Sequence, residues 1–139
     1  MPHNILVVDD EPPIAEMVAV LLEDEGYAVT CAHDGQAALA EIERDPPTLV
    51  VTDVMMPRLD GVSLTNRLRE RGDRTPVVLM SAVSTAVDLP GVEFVPKPFD
   101  IEHIVKVVNR VIKHAAEGAL QDRTRAGWVV PARGALPRP

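Results

Sequence analysis

Acidic, hydroxyl and basic side chains follow four short apolar runs of this 139-residue chain. Each run has the length and the valine-rich composition of a strand buried on both faces of a parallel sheet. The carboxyl ends of such strands share one edge, where open α/β sheets bind their ligands. The set expected at that edge could hold a hard divalent cation together with a phosphoryl group. Its members are Asp9 and Asp10 after residues 5–8, Asp53 after 49–52, Ser81 after 77–80 and Lys97 after 92–95.

Segments with helical periodicity lie between most of these runs. The alternation of strands and helices predicts a doubly wound α/β fold, a parallel sheet with helices on both faces. Residues 27–32 alternate in polarity and indicate an additional, edge-like strand. Helices are predicted over 13–25, with Ile14, Met17, Val18, Leu21 and Leu22 facing inward, over 35–44 after the cap Asp34, from Asp60–Gly61 to about Arg71, and over 101 to about 116 after the cap Asp100.

One connection is unusually short, because only residues 82–91 link the last two strands. A parallel crossover needs about 10 to 12 residues including its helix. The fourth helix, at about 83–88, is therefore expected to be shortened.

Charge and composition bound the function. The net charge of −7 divides into −10 over residues 1–117 and +3 over 118–139. An acidic body argues against direct binding of nucleic acid. The sequence has no apolar stretch of the roughly 18 residues that would span a membrane and no signal pattern, so a cytoplasmic protein is expected. The single cysteine, Cys31, is read as an inert buried thiol.

The chain divides into a domain at 1–117 and a tail at 118–139 that is rich in Pro, Gly, Ala and Arg. Such a composition favours a flexible tail. The apolar residues 128–130 leave open a second interpretation, in which the tail docks onto this chain or onto a second copy.

Four motifs in this order carry a family resemblance. They are residues 5–11 (ILVVDDE), 53–61 (DVMMPRLDG), 81–82 (SA) and 97–99 (KPF). The chain resembles the receiver domain of bacterial two-component response regulators, the CheY-like proteins, over about residues 3–116. The resemblance implies a five-stranded sheet in the order 2-1-3-4-5, as in flavodoxin and CheY.

The resemblance also implies a role for each site residue. Asp53 would accept a phosphoryl group, with Mg²⁺ (or Mn²⁺) offsetting the charge repulsion. A Tyr or Phe at the position of Phe94 commonly turns inward when the hydroxyl at the Ser81 position moves toward phosphate. The implied ligands of the metal are Asp9, Asp10, Asp53 and the backbone carbonyl of Met55. Ser81 and Lys97 would contact the phosphoryl group, and Pro98 is a candidate for a cis peptide bond.

The expected function is that of a phosphorylatable switch with no output domain of its own. A sensor histidine kinase or a phosphotransfer protein would supply the phosphoryl group. Activity of its own would be limited to self-phosphorylation from a phosphodonor and slow hydrolysis. The face around residues 82–116 would then change and bind a downstream protein or a second copy of the chain. Val107 and Val111, expected off the buried stripe of the last helix, would extend an apolar patch there.

Other interpretations are open at this stage. A haloacid dehalogenase-like phosphohydrolase would need a second acid where this chain has Met55. A flavodoxin-like electron carrier would need a hydroxyl-rich loop where residues 9–13 read DDEPP. A constitutive binding module with the same fold would require no phosphorylation. Among single residues, Ser81 could instead cap the next helix, and Phe94 could be an ordinary core aromatic.

Overall fold

A computed structural model describes residues 3–56, 58–81, 91–97 and 100–126, giving only the helical backbone for 101 and 116–126. The described elements are β1 (Asn4–Val8), α1 (Pro12–Asp24), β2 (Ala28–Ala32), α2 (Gly35–Arg44), β3 (Leu49–Asp53), α3 (Gly61–Glu70), β4 (Val77–Ser81), β5 (Val92–Pro96) and α4 (Ile101–Ala126). The short helix predicted at about 83–88 and the apolar residues 128–130 lie outside the described residues.

The five strands form one parallel sheet in the order β2-β1-β3-β4-β5. This confirms the predicted fold class and strand order. The two central runs, β3 and β4, are buried along their whole length, as expected for strands covered on both faces. At one edge, β2 alternates between exposed and half-buried residues, which confirms its prediction as an edge strand.

Two apolar layers cover the two faces of the sheet. Alternate residues of each central strand point to opposite faces, so one strand contributes to both layers. On one face α1 and α4 pack against residues that include Ile5, Val51 and Val78. On the other face α2 and α3 pack against residues that include Leu6, Val50 and Leu79.

Helix α1 buries a different set of residues from the predicted one. Ala15, Val18, Ala19 and Leu22 are buried, whereas Met17 is 40% exposed. Ile14 and Leu21, also predicted inward, are only half-buried. Small side chains allow the helix backbone to lie close to the sheet, so two alanines occupy positions that the larger residues were expected to take.

Helix α4 also corrects two predictions. Val107, predicted to lie on an exposed patch, is 3% exposed within the core, and Val111 packs against the same core layer. The reason is that α4 contacts both the sheet and α1, so its buried stripe is wider than one line of residues. The helix also continues to Ala126 instead of ending near 116, because one glycine, Gly118, costs a helix only about 1 kcal/mol. Residues 118–126 of the predicted tail therefore have a helical backbone.

The predicted caps are present. Asp34 and Asp60 accept hydrogen bonds from the backbone N–H groups of Ala37 (2.8 Å) and Ser63 (2.7 Å) at the starts of α2 and α3. Asp100 accepts one from the N–H of Glu102 (2.9 Å) at the start of α4. Within the described residues, no helix is both long and apolar enough to cross a membrane.

Candidate functional site

The register of the sheet brings the ends of β1 and β3 side by side. Val8 is the partner of Thr52, so the next residues along each strand, Asp9 and Asp53, stand at the same level. Asp9 extends the ladder by donating its backbone N–H to the carbonyl of Ala32, at 3.1 Å. The parallel pairing therefore delivers two carboxylates to one point of the rim.

Three carboxylates converge at this point. Asp9, Asp10 and Asp53 each offer one oxygen, and these oxygens lie within 4.8 Å of one another. Asp9 is fully buried and Asp53 is 6% exposed, whereas Asp10 is exposed. Mg²⁺ prefers oxygen ligands, uses one or two carboxylates and keeps several waters. A hard-oxygen cluster that is buried on one side and open to water on the other fits such an ion.

Lys97 supplies the positive charge of the site. Its Nζ lies 3.3 Å from an oxygen of Asp9 and 3.3 Å from an oxygen of Asp53. Burial alone would lower the pKa of Lys97, but the two carboxylates together outweigh burial and raise the pKa. The ammonium group is therefore held in its charged form between two acids that would otherwise repel each other.

The surroundings of Asp53 make its carboxylate more basic. Burial is the largest cause of its raised pKa, and the charge of Asp9 acts in the same direction. Lys97 and a hydrogen bond from the backbone N–H of Met55 oppose this rise without cancelling it. The environment of Asp9 is more satisfied, since its other oxygen accepts a hydrogen bond from the N–H of Glu11 at 2.9 Å.

Ser81 and Phe94 lie on the neighbouring strands. Ser81 ends β4 with 2% of its surface exposed, and its backbone carbonyl accepts a hydrogen bond from the N–H of Lys97 at 2.7 Å. Phe94 is the register partner of Leu79 and is partly buried in the layer formed with α2 and α3. Ser81 is thus adjacent to Lys97, with Phe94 nearby on β5. Pro98 lies outside the described residues.

Two neighbours of the site were not anticipated from the sequence. The hydroxyl of Thr52 is buried and donates to the carbonyl of Asp53 at 3.0 Å. The ring of His33 lies with its Nδ1 3.1 Å from the carbonyl oxygen of Asp9. Neither belongs to a motif. His33 reaches the site only because the ladder between Asp9 and Ala32 places β2 beside the first acid.

Comparison with known proteins agrees with this geometry. Residues 5–109 match the response regulator receiver domain family. Over 110 residues the chain is 41% identical to the probable transcriptional regulatory protein TcrX of Mycobacterium tuberculosis, covering 75% of this chain and 47% of that protein. Over 119 residues it is 40% identical to the response regulator MprA of Mycolicibacterium vanbaalenii, covering 81% and 52%. The chain thus spans about half the length of these relatives.

A solved structure shows the same likeness in three dimensions. The receiver domain of the Francisella response regulator 1452 superposes with a TM-score of 0.75 and is 34% identical in sequence. The match covers 81% of this chain and 98% of that domain. The described fold therefore corresponds to nearly the whole of an independently folded unit.

Proposed function

Because this chain belongs to the receiver domains of two-component response regulators, we propose that it is a phosphorylation-dependent switch whose acceptor is Asp53. The observation that carries the proposal is the position of the Asp53 carboxylate. It is buried in a cluster of three acids and lies 3.3 Å from the ammonium group of Lys97. An isolated structural aspartate would gain nothing from two further carboxylates so close to it.

Asp53 acts as a nucleophile in this proposal. One of its oxygens attacks the phosphorus of a phosphohistidine on a sensor histidine kinase or a phosphotransfer protein. An O–P bond forms, the N–P bond breaks, and the histidine nitrogen keeps the electron pair. The raised pKa of Asp53 favours this role, because a more basic carboxylate is a better nucleophile. Later attack of water on phosphorus returns the carboxylate and inorganic phosphate.

Asp9, Asp10, Asp53 and the backbone carbonyl of Met55 would hold Mg²⁺, which Mn²⁺ could replace. When bound, the ion supplies the positive charge that offsets repulsion between the carboxylate and the incoming phosphoryl group. Lys97 then exchanges its contacts with the two carboxylates for the phosphoryl oxygens. A lysine suits this exchange, because its charge is compact and its stem is flexible.

Ser81 and Phe94 would connect this chemistry to the surface. The hydroxyl of Ser81 would donate to a phosphoryl oxygen, and movement at the end of β4 would make room for the half-buried ring of Phe94 to turn inward. Phe94 sits in the strand next to β4, at the register of Leu79, which supports such coupling. The changed face, around residues 82–116, would bind a downstream protein or a second copy of the chain.

Intact mass after incubation with acetyl phosphate tests the acceptor. Wild type, Asp53→Asn and Asp60→Asn are compared with Mg²⁺ and with a chelator. Asp60→Asn is the matched control, because Asp60 lies in the same loop and asparagine caps a helix as well as aspartate does. We expect one Mg²⁺-dependent phosphoryl adduct in wild type and in Asp60→Asn, and none in Asp53→Asn.

Two results would contradict the proposal. An equal adduct in Asp53→Asn would place the phosphoryl group elsewhere. A wild type that neither forms an adduct nor binds Mg²⁺ would favour a constitutive binding module. If Mg²⁺ binds without an adduct, the same three proteins are tested with a phosphorylated histidine phosphotransfer protein, and failure there also rejects Asp53 as acceptor.

A further inference from the structure

Residues 32–35, which join β2 to α2, contact the segment that carries the first two acids. The carbonyl of Ala32 accepts the backbone N–H of Asp9 at 3.1 Å. The Nδ1 atom of His33 lies 3.1 Å from the carbonyl oxygen of Asp9, within hydrogen-bond distance. The backbone on both sides of the Asp9 Cα is therefore attached to the same short segment.

The same four residues contact the loop that follows β3 and carries Met55. The guanidinium Nη2 of Arg58 donates to Oδ2 of Asp34 at 2.8 Å. Leu59 packs so closely on Gly35 that a Cβ at residue 35 would overlap the carbonyl oxygen and the Cβ of Leu59. Arg58 itself has φ +69°, in the left-handed region that is uncommon for residues other than glycine. The loop is thus held in a path that its own backbone does not favour.

Asp34 joins these contacts through two different oxygens. Oδ1 accepts the N–H of Ala37 and caps α2, whereas Oδ2 accepts Arg58. The hydrogen bond from Ala37, followed by that from Arg58, lowers the pKa of Asp34, so the carboxylate is ionised at neutral pH. The ion pair with Arg58 can consequently be removed without removing the helix cap.

We propose that residues 32–35 act as a bridge that fixes the spacing between the Asp9–Asp10 segment and the Met55 loop, with the Arg58–Asp34 pair closing it. Mg²⁺ demands near-ideal octahedral geometry, so its affinity depends on that spacing. Arg58 and Asp34 are positioning residues, since neither belongs to the acid cluster. The inference rests on the proposed function, because the segments it positions are those expected to bind the cation.

The test compares Asp34→Asn, Arg58→Gln and the double variant. Asparagine preserves the cap of α2 while removing the charge that holds Arg58. The matched control is Arg71→Gln, which breaks another ion pair between the same two parts of the fold, Arg71–Glu43 at 3.0 Å, at the far ends of α2 and α3. Two quantities are measured: the Mg²⁺ affinity, by NMR titration, and amide hydrogen exchange of the loop after β3 in metal-free protein.

Each single variant should bind Mg²⁺ about threefold more weakly and exchange the loop amides faster, a modest effect because the Arg58 side chain is largely exposed. The double variant should lose no more than either single one, because both remove the same contact. Arg71→Gln should match wild type in both measurements.

Unchanged exchange in Asp34→Asn and Arg58→Gln would overturn the bridge, and so would faster exchange with unchanged Mg²⁺ affinity. Additive losses in the double variant would also overturn it. If wild type itself binds no Mg²⁺, the proposed function fails, whereas exchange in the metal-free proteins still decides whether the bridge holds the loop.

Discussion

The two ends of the same sheet are built in opposite ways. Five polar side chains are buried in the described part of the chain, and four of them lie at the carboxyl ends of the strands: Asp9, Thr52, Asp53 and Ser81. Two of these are acids that share a single lysine. This end therefore places like charges close together in a poorly solvated position.

The amino ends of the strands show local satisfaction instead. Asp73 accepts hydrogen bonds from both the N–H (2.9 Å) and the hydroxyl (2.6 Å) of Thr75, just before β4. The N–H of Thr48 donates to the carbonyl of Asn4 at 2.8 Å, just before β3. Since the strands are common to both ends, the difference lies in the residues that enter and leave them. One end stabilises the fold by itself, and the other requires a counter-charge.

Replacing Lys97 by methionine should break this comparison most strongly. The substitution keeps the apolar stem but leaves Asp9 and Asp53 without their shared cation. Removing one partner of a buried pair costs several kcal/mol, and the partial exposure of Lys97 reduces the expected loss to about 2 kcal/mol. Saturating Mg²⁺ should restore part of it. Urea unfolding with a chelator and with Mg²⁺ measures both effects.

The control for Lys97→Met is Arg110→Gln. Arg110 pairs with Glu93 of the same strand β5 at 2.8 Å, but both side chains are exposed. Its loss should change the free energy of unfolding by less than about 0.5 kcal/mol, with or without Mg²⁺. Equal losses in the two variants would mean that the carboxyl end carries no special electrostatic burden.

Asp53→Asn should stabilise metal-free protein at neutral pH, on the order of 1 kcal/mol, a usual size for single substitutions. Burial and Asp9 raise the pKa of Asp53 above its ordinary 3.8, so the folded state holds this proton more tightly than the unfolded state. Wild type therefore loses stability as the pH rises from below 3.8 through the raised value. The advantage of Asp53→Asn should vanish at low pH, and pH-dependent unfolding would falsify the explanation by showing a constant difference.

Asp73→Ala should have the smallest effect and the opposite sign. It removes the acceptor of the two Thr75 hydrogen bonds at the amino end, in a half-exposed position. The expected loss is roughly 0.5 kcal/mol, at the low end for hydrogen bonds because water can replace the carboxylate. Thermal unfolding at neutral pH suffices to measure it. A stabilised Asp73→Ala would show that acids at both ends of the sheet are equally unfavourable.

Features that depend on local sequence were predicted well. Strand composition marked the strands, and the caps Asp34, Asp60 and Asp100 were readable because each precedes its helix directly. The strand order came from the family resemblance, since periodicity does not determine which strands are neighbours. The approach of Asp9 to Asp53 followed from parallel pairing of two strands that both end in acids.

Features that depend on the distance between packed elements were not predictable. Periodicity favoured Met17 over the alanines of α1, because a hydrophobic pattern records polarity and not how closely a helix approaches the sheet. Val107 was assigned to the surface for a related reason, since the contact of α4 with α1 is invisible in its own sequence. The pairing of Arg58 with Asp34 joins loops 24 positions apart, and no spacing rule anticipates it.

The length of α4 gives the domain a mechanical property. At 1.5 Å per residue its 26 residues extend about 39 Å, whereas a five-residue strand is only about 17 Å long. The last buried residue described on α4 is Ile112, about 21 Å before Ala126. The helix therefore works as a lever with its fulcrum on the sheet: a tilt of about ten degrees at Ile112 moves the backbone of Ala126 by about 4 Å. A displacement too small to alter the core would be large enough to be recognised at the far end of this helix.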